Sequence, residues 1–227
     1  MTAQVELTQT ALNRSEPACE DPLVIIVDDD AHIRQALHEL MLSAGMHPVC
    51  FASTGELLEA DVLDRPGCLI LDVRMPGASG LDFQQQLVAR GMPKPIVFLT
   101  GHGDIPMTVQ AMKAGAVDFL TKPVRDQTLL DAVMTGIRRD LAQRQKAEIV
   151  SSFKVKFETL TPREREVFAE VVRGRLNKQI AFDLGISEVT VKLHRSNVMH
   201  KMQVTSMGGL IRAWENLPLP LRNFHRN

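Results

Sequence analysis

Five short apolar runs punctuate the first half of the chain. Leu23-Val24-Ile25-Ile26-Val27 leads into Asp28-Asp29-Asp30, and Leu69-Ile70-Leu71 leads into Asp72 and a Met-Pro-Gly turn. Pro95-Ile96-Val97-Phe98-Leu99 stops at Thr100, and Val117-Asp118-Phe119-Leu120 stops at Thr121-Lys122-Pro123. Val49-Cys50-Phe51 is a fifth, shorter run. Such runs are too short for helices and lack polar alternation, so they read as strands covered on both faces. Helical spacing fills the gaps: Ile33, Leu37, Leu40 and Met41; Leu57 and Leu58; Leu81, Phe83, Leu87 and Val88; Val109, Met112 and Ala116; Leu130, Val133, Ile137 and Leu141. Strand and helix alternate five times, which predicts a five-stranded parallel sheet built by crossover connections.

The pattern then changes to helices alone. Residues 138 to 150 hold neither Gly nor Pro and are rich in helix formers, predicting a helical linker toward Ser151-Ser152. Thr161-Pro162-Arg163-Glu164 is a capping box with proline at the first helical position, opening a helix with Val167, Phe168, Val171 and Val172. Helices follow over about 177–184, 188–202 and 206–215, with Gly185-Ile186-Ser187 as a tight connection between the first two. Residues 1–22 carry no apolar period and are expected to form a mobile leader; the proline-punctuated tail, 217–227, is expected to be loosely ordered. The expected division is therefore an α/β domain over 23–137, a helical linker over 138–157, and an all-α domain over 158–216.

Charge sharpens this division. From Glu158 onward Lys and Arg outnumber Asp and Glu by 11 to 7, whereas the preceding residues carry a net −5. A basic second part suits an anionic partner such as nucleic acid. Cys19, Cys50 and Cys68 show no metal-ligand spacing and suggest no disulfide framework, which fits a reducing compartment. With no membrane-length apolar run and no secretion-signal pattern, a cytoplasmic protein without membrane contact is expected.

In a parallel sheet the strand ends converge along one edge. Asp28 and Asp29, Asp72, Thr100 and Lys122 all follow strand runs and would share that rim. Each alone fits a blander role, as a turn residue, a helix cap or a surface charge. Together they bring carboxylates close enough to need a cation, and oxygen-only ligands suit Mg²⁺. A carboxylate nucleophile beside a metal, a lysine and a threonine makes a phosphoryl-acceptor site.

The sequence resembles the two-component response regulators of the NarL/FixJ family, near its FixJ-like branch. The motifs are Ile-Val-Asp28-Asp29-Asp30, Leu-Asp72-Val-Arg-Met-Pro-Gly, Leu-Thr100-Gly-His-Gly-Asp and Phe119-Leu-Thr-Lys122-Pro123. In the second part they are Leu160-Thr-Pro-Arg-Glu-Arg-Glu, Asn177-Lys-Gln-Ile-Ala and Ile186-Ser-Glu-Val-Thr-Val-Lys-Leu-His. The resemblance implies a flavodoxin/CheY-like receiver and a LuxR-type four-helix helix-turn-helix domain. It implies that Asp72 takes a phosphoryl group from a sensor histidine kinase, and that Asp28, Asp29, Asp72 and the backbone carbonyl of Arg74 hold Mg²⁺. Thr100 and Lys122 would grip the phosphoryl group, Phe119 would be the aromatic switch, and Lys122-Pro123 would be a cis peptide. Phosphorylation would promote a homodimer or release the second domain to bind double-stranded promoter DNA. The expected product is a transcriptional regulator, not a turnover enzyme.

On the third helix of the second part, Val191, Val198 and Met202 share a core stripe, and Lys192, Leu193, Arg195 and Ser196 face away. Leu193 has no core to join there and suits a thymine methyl, while Lys192 suits a guanine or a phosphate. Lys178, Thr190 and Arg195 suit phosphates. Two alternatives compete. An aspartate-nucleophile phosphatase would attack from Asp28, but the threonine expected two residues after Asp30 is His32. A phosphorylation-independent DNA-binding protein would leave the acidic set without a use.

Overall fold

The computed structural model describes residues 21–76, 79–101 and 103–222. Almost all of the expected leader, and residues 223–227 of the tail, lie outside them. The chain divides into two compact units, Met1–Ala142 and Gln143–Asn227.

The first unit is a five-stranded, all-parallel sheet in the order β2-β1-β3-β4-β5. Its strands are β1 (Leu23–Val27), β2 (His47–Phe51), β3 (Gly67–Leu71), β4 (Ile96–Thr100) and β5 (Asp118–Thr121). Between them run α1 (Ala31–Ser43), α2 (Thr54–Glu59), α3 (Gly80–Ala89) and α4 (Ile105–Lys113), and α5 (Asp126–Glu158) follows β5. The unbroken apolar runs have their cause in the two faces. Leu23, Ile25, Val27, Leu69, Leu71, Ile96 and Phe98 pack with Leu57, Leu81, Phe83, Leu87 and Ala111. The alternate residues Val24, Ile26, Cys68, Ile70, Val97 and Leu99 pack with Leu37 and Met41 of α1 and Leu129, Ala132 and Val133 of α5. Period two along each strand sends neighbours to opposite faces, and both faces are covered.

Several helix faces differ from the sequence expectation. Val88 is exposed, as are Val109 and Met112, and α4 instead presses Ala111 inward. A small residue lets α4 sit close to the sheet, while Ile105, Val109 and Met112 form an outward apolar stripe. On α5 the inner stripe is Leu129, Ala132, Val133, Gly136 and Asp140 rather than one ending at Leu141. Asp140 is buried and accepts a 2.8 Å hydrogen bond from the Gly67 amide at the start of β3. A Cβ on Gly136 would lie 2.4 Å from the Cys68 sulfur, so only glycine lets α5 seat there. Helix α5 is 33 residues long and runs without a break through Ser151 and Ser152.

The second unit holds α6 (Pro162–Val172), α7 (Asn177–Leu184), α8 (Glu188–Lys201), α9 (Met207–Asn216) and a short α10 (Leu219–Arg222). Its core joins Phe157 from the end of α5 to Val167, Phe168, Ile180, Val191, Val198, Met202, Leu210 and Ala213. The expected loose tail begins differently, because Leu217 is buried in this core and α10 follows it. Leu217 just before the prolines, with Leu221 just after them, supplies the anchor that a purely polar tail would lack.

The α6 capping box is complete. Glu164 accepts from the Thr161 amide at 2.9 Å, and the Glu164 amide donates back to the Thr161 hydroxyl at 3.3 Å. Lys201 at the end of α8 donates to the same carboxylate at 2.7 Å. Burial opposes the Glu164 charge, but Lys201 and the Thr161 amide outweigh it and hold its pKa below the ordinary 4.5. A lowered folded pKa means that this stabilisation is complete above the unfolded value and is lost as pH falls through the folded one. Glu164→Gln is therefore expected to cost about 1–3 kcal/mol at neutral pH, with the deficit shrinking as pH falls below 4.5. Unfolding followed by the single tryptophan, Trp214, checks this, since its ring packs edge-on against Phe168 in this core.

Candidate functional site: an acidic rim and a helix-turn-helix

The C-terminal ends of the parallel strands gather the rim residues named from the sequence. Asp28 follows β1 directly and Asp72 follows β3, and both are buried; Asp29 beside them is exposed. One carboxylate oxygen from each of the three lies within 4.8 Å of the others. Lys122, just past β5, reaches between two of them. Its ammonium donates to Asp28 Oδ2 at 2.6 Å and to Asp72 Oδ2 at 2.7 Å. Thr100 ends β4 and is fully buried, and its carbonyl accepts from the Lys122 amide at 2.8 Å. The Lys122–Pro123 peptide is cis.

The electrostatics follow from this crowding. Burial pushes the Asp28 carboxyl above its ordinary range, and the nearby Asp72 charge adds to the push; Lys122 offsets only part of it. For Lys122, burial works to lower the pKa, but its hydrogen bonds to Asp28 and Asp72 prevail and raise it. The rim therefore holds a fixed ammonium and concentrated negative charge, and the site favours added positive charge. Three carboxylates with no nitrogen or sulfur donor among them fit a hard, oxygen-seeking divalent cation.

Neighbouring groups fix these side chains. The Asp72 Oδ1 atom accepts from the Arg74 amide at 3.0 Å, so the turn after β3 aims the carboxylate. Arg74 itself points to solvent. Asp28 Oδ1 accepts from the Asp30 amide at 3.0 Å, and Arg34 on α1 donates to the Asp28 carbonyl at 2.6 Å. Asp30 turns the other way. Its carboxylate caps α1, accepting from the His32 and Ile33 amides, and these bonds hold its pKa down. Phe119 on β5 is half-buried, with its ring centroid 5.9 Å from that of Phe98. A Cβ on Gly103 would lie 2.7 Å from the Phe119 ring, so the start of α4 lies close against this side chain. Arg34, Gly80 and Gly103 also support the rim without a signal in the sequence. Their contributions are to backbone atoms or to close approach, which leave no chemical pattern along the chain.

In the second unit α7, Gly185 and α8 form the turn between two helices. Gly185 has φ +64°, the left-handed conformation that suits glycine and ends α7. Ser187 caps α8. Val191, Val198 and Met202 are buried as the spacing predicted. Lys178, Lys192, Leu193 and Ser196 are exposed, while Thr190 and Arg195 are half-buried. The Arg195 guanidinium donates to Asn177 Oδ1 at 2.6 Å, tying α8 to the start of α7. The Thr190 hydroxyl lies 2.8 Å from that of Ser187. Val189, which sequence reasoning passed over, is the most exposed apolar residue on α8.

Residues 24–134 match the family described as response regulator receiver domain, and residues 158–213 match bacterial regulatory proteins of the luxR family. Nodulation protein W of Bradyrhizobium diazoefficiens is 50% identical over 195 residues, which is 86% of each chain. The transcriptional regulatory protein FixJ of Azorhizobium caulinodans is 43% identical over 190 residues, 83% of this chain and 90% of that one. The chain belongs to the two-component response regulators of the NarL/FixJ type. The solved structure of the response regulator StyR agrees, at 47% identity and a TM-score of 0.78 over 86% of this chain and 98% of that one. The response regulator is thus a receiver joined to a LuxR-type DNA-binding domain, and it regulates transcription rather than turning over a substrate. The receiver implies a histidine kinase partner, and the LuxR-type domain implies DNA binding. No helix among the described residues is long and apolar enough to cross a membrane.

Gly80 supplies a test of how the rim is held. A Cβ there would stand 2.3 Å from the Asp72 carbonyl oxygen. Gly80→Ala is expected to push α3 away from the turn after β3 and to destabilise the receiver by about 1–3 kcal/mol. Gly91→Ala, where the space is open but φ is +69°, carries only the backbone penalty. Thermal unfolding of both variants checks the difference.

Proposed function

We propose that Asp72 is the phosphoacceptor of this response regulator, and that the rim around it is a metal-dependent phosphoryl-transfer site. The carrying observation is the Lys122 ammonium held between Asp28 and Asp72 while Asp29 completes the acidic set. Asp28, Asp29, Asp72 and the backbone carbonyl of Arg74 would hold Mg²⁺, which supplies charge neutralisation for the transferring oxygens. An Asp72 carboxylate oxygen attacks the phosphorus, the bond from phosphorus to the donor's leaving group breaks, and the electron pair departs with that group. A carboxylate is already ionised, so no separate base is needed. Lys122 and Thr100 bind the phosphoryl oxygens that result.

The transmitted signal is a local charge change with a packing consequence. The Thr100 hydroxyl donates to a phosphoryl oxygen, and Phe119 fills the space that this shift opens. The surface of α4, β5 and α5 then favours pairing of two receivers. Its outward stripe of Ile105, Val109 and Met112 supports that step. We assign the receiver to residues 23–137, the linker to 138–157 and the DNA-binding domain to 158–216. Lys192 and Leu193 would meet base edges in promoter DNA with Ser196 on the same DNA-facing side, while Lys178, Thr190 and Arg195 would position the helix-turn-helix on the backbone.

Incubation with acetyl phosphate and Mg²⁺ tests this. The wild-type chain is expected to gain one phosphoryl group by intact mass, and Asp72→Asn is expected to gain none. Light scattering is expected to show a larger species only for the phosphorylated wild type. Labelling that persists in Asp72→Asn would overturn the phosphoacceptor assignment, and an unchanged oligomeric state would overturn the pairing step.

A further inference from the structure

The outward face of α8 carries more apolar surface than a solvated helix has use for. Its inner stripe is Val191, Val198 and Met202, each at most 1% exposed. At about 100° per residue the opposite side holds Val189, Leu193, Ser196 and His200, with Lys192 alongside. Val189 is 75% exposed and Leu193 is 59% exposed. A β-branched residue in an exposed first turn gains nothing from propensity, since it loses χ1 freedom there. Neither residue belongs to the core of this unit.

The polar groups of that first turn are already engaged. Ser187 caps the helix by accepting from the Thr190 amide, and the Ser187 and Thr190 hydroxyls bond each other. Glu188, acidic and exposed, offers no phosphate ligand beside Val189. What the turn offers outward is an apolar surface beside the lysine at 192. In the major groove the apolar feature on a base edge is the thymine C5 methyl.

We propose that Val189 and Leu193 act as a pair that reads thymine methyl groups, with Val189 a second specificity determinant in the first turn of α8. This rests on the DNA-binding role given to α8 above. The two residues are one turn apart on the same face, about 6 Å along the helix axis. A base step rises about 3.4 Å. The two thymines they read therefore lie within about two base steps of each other, on one strand or across the pair. Methyl contact adds discrimination without adding charge, so affinity for unselected DNA stays with Lys178, Lys192 and their basic neighbours.

The test uses the full chain, treated with acetyl phosphate and Mg²⁺, to select duplexes from a randomised pool. Single thymines of a selected duplex are then replaced by uracil, which removes only the methyl group. The wild type is expected to lose about fourfold in affinity at each of two positions. Val189→Ala is expected to lose a similar factor and to become insensitive to uracil at one of them, and Leu193→Ala at the other. Alanine is the better helix former at an exposed site, so both variants keep the fold. Both are expected to keep the wild-type salt dependence, because no phosphate contact is removed. Val189→Ala binding as tightly as wild type, or uracil penalties unchanged in both variants, would overturn the pair while leaving α8 as a DNA-binding helix. A wild type that enriches no duplex would overturn that DNA-binding role itself.

Discussion

One ammonium placed between two buried carboxylates governs the receiver. Lys122 lies 2.6 Å from Asp28 and 2.7 Å from Asp72, and these three side chains come from residues far apart in the chain. The parallel sheet, with β1 between β2 and β3 and with β5 at its edge, brings them together. Buried like charges repel strongly, so the arrangement depends on its cation. The protein supplies one fixed positive charge and leaves excess negative charge facing solvent through Asp29. That imbalance suits a divalent cation, and on the reading proposed above the cation would in turn accommodate a transferring phosphoryl group.

The packing below the rim explains why the imbalance persists. Both faces of the sheet are covered, and strand residues such as Val24, Ile25, Val97 and Phe98 are fully buried. A close-packed interior resists small shifts, so the rim cannot relax by spreading its charges apart. Gly80 and Gly103 extend the same constraint to the loops, where one abuts the Asp72 backbone and the other the Phe119 ring. At the opposite end of the sheet Asp140 and Gly136 seat the receiver part of α5 on β3.

Much of this was legible in the sequence. Apolar runs ending in Asp, Asp, Thr and Lys specify both the strands and the polarity of the rim, because strand ends in such a sheet share one edge. The inner faces of α4 and α5 were not legible. Ala111 and Gly136 are inward because they are small, and a pattern that counts large apolar residues passes over them. Asp140 carries no signal in the sequence, because its partner is a backbone amide 73 residues earlier. The carboxylate at 164 was read as a helix cap, and its ion pair with Lys201 depends on how α6 meets α8. The charge of Arg195 suits DNA, and its further bond to Asn177 becomes visible only when α7 and α8 are placed side by side. The tail showed its prolines and hid the anchoring role of Leu217.

On the reading proposed above, the rim's carboxylates, as arranged around Lys122, form one divalent-cation site. Electron paramagnetic resonance of free Mn²⁺ titrated with the full chain measures this directly, since bound Mn²⁺ leaves the free signal. One site per chain is expected, weakened by about tenfold or more in Asp28→Asn. Asp30→Asn is predicted to bind as the wild type does, because the Asp30 carboxylate caps α1 and takes no part in the cluster. Equal loss in both variants, or no loss in Asp28→Asn, would contradict it.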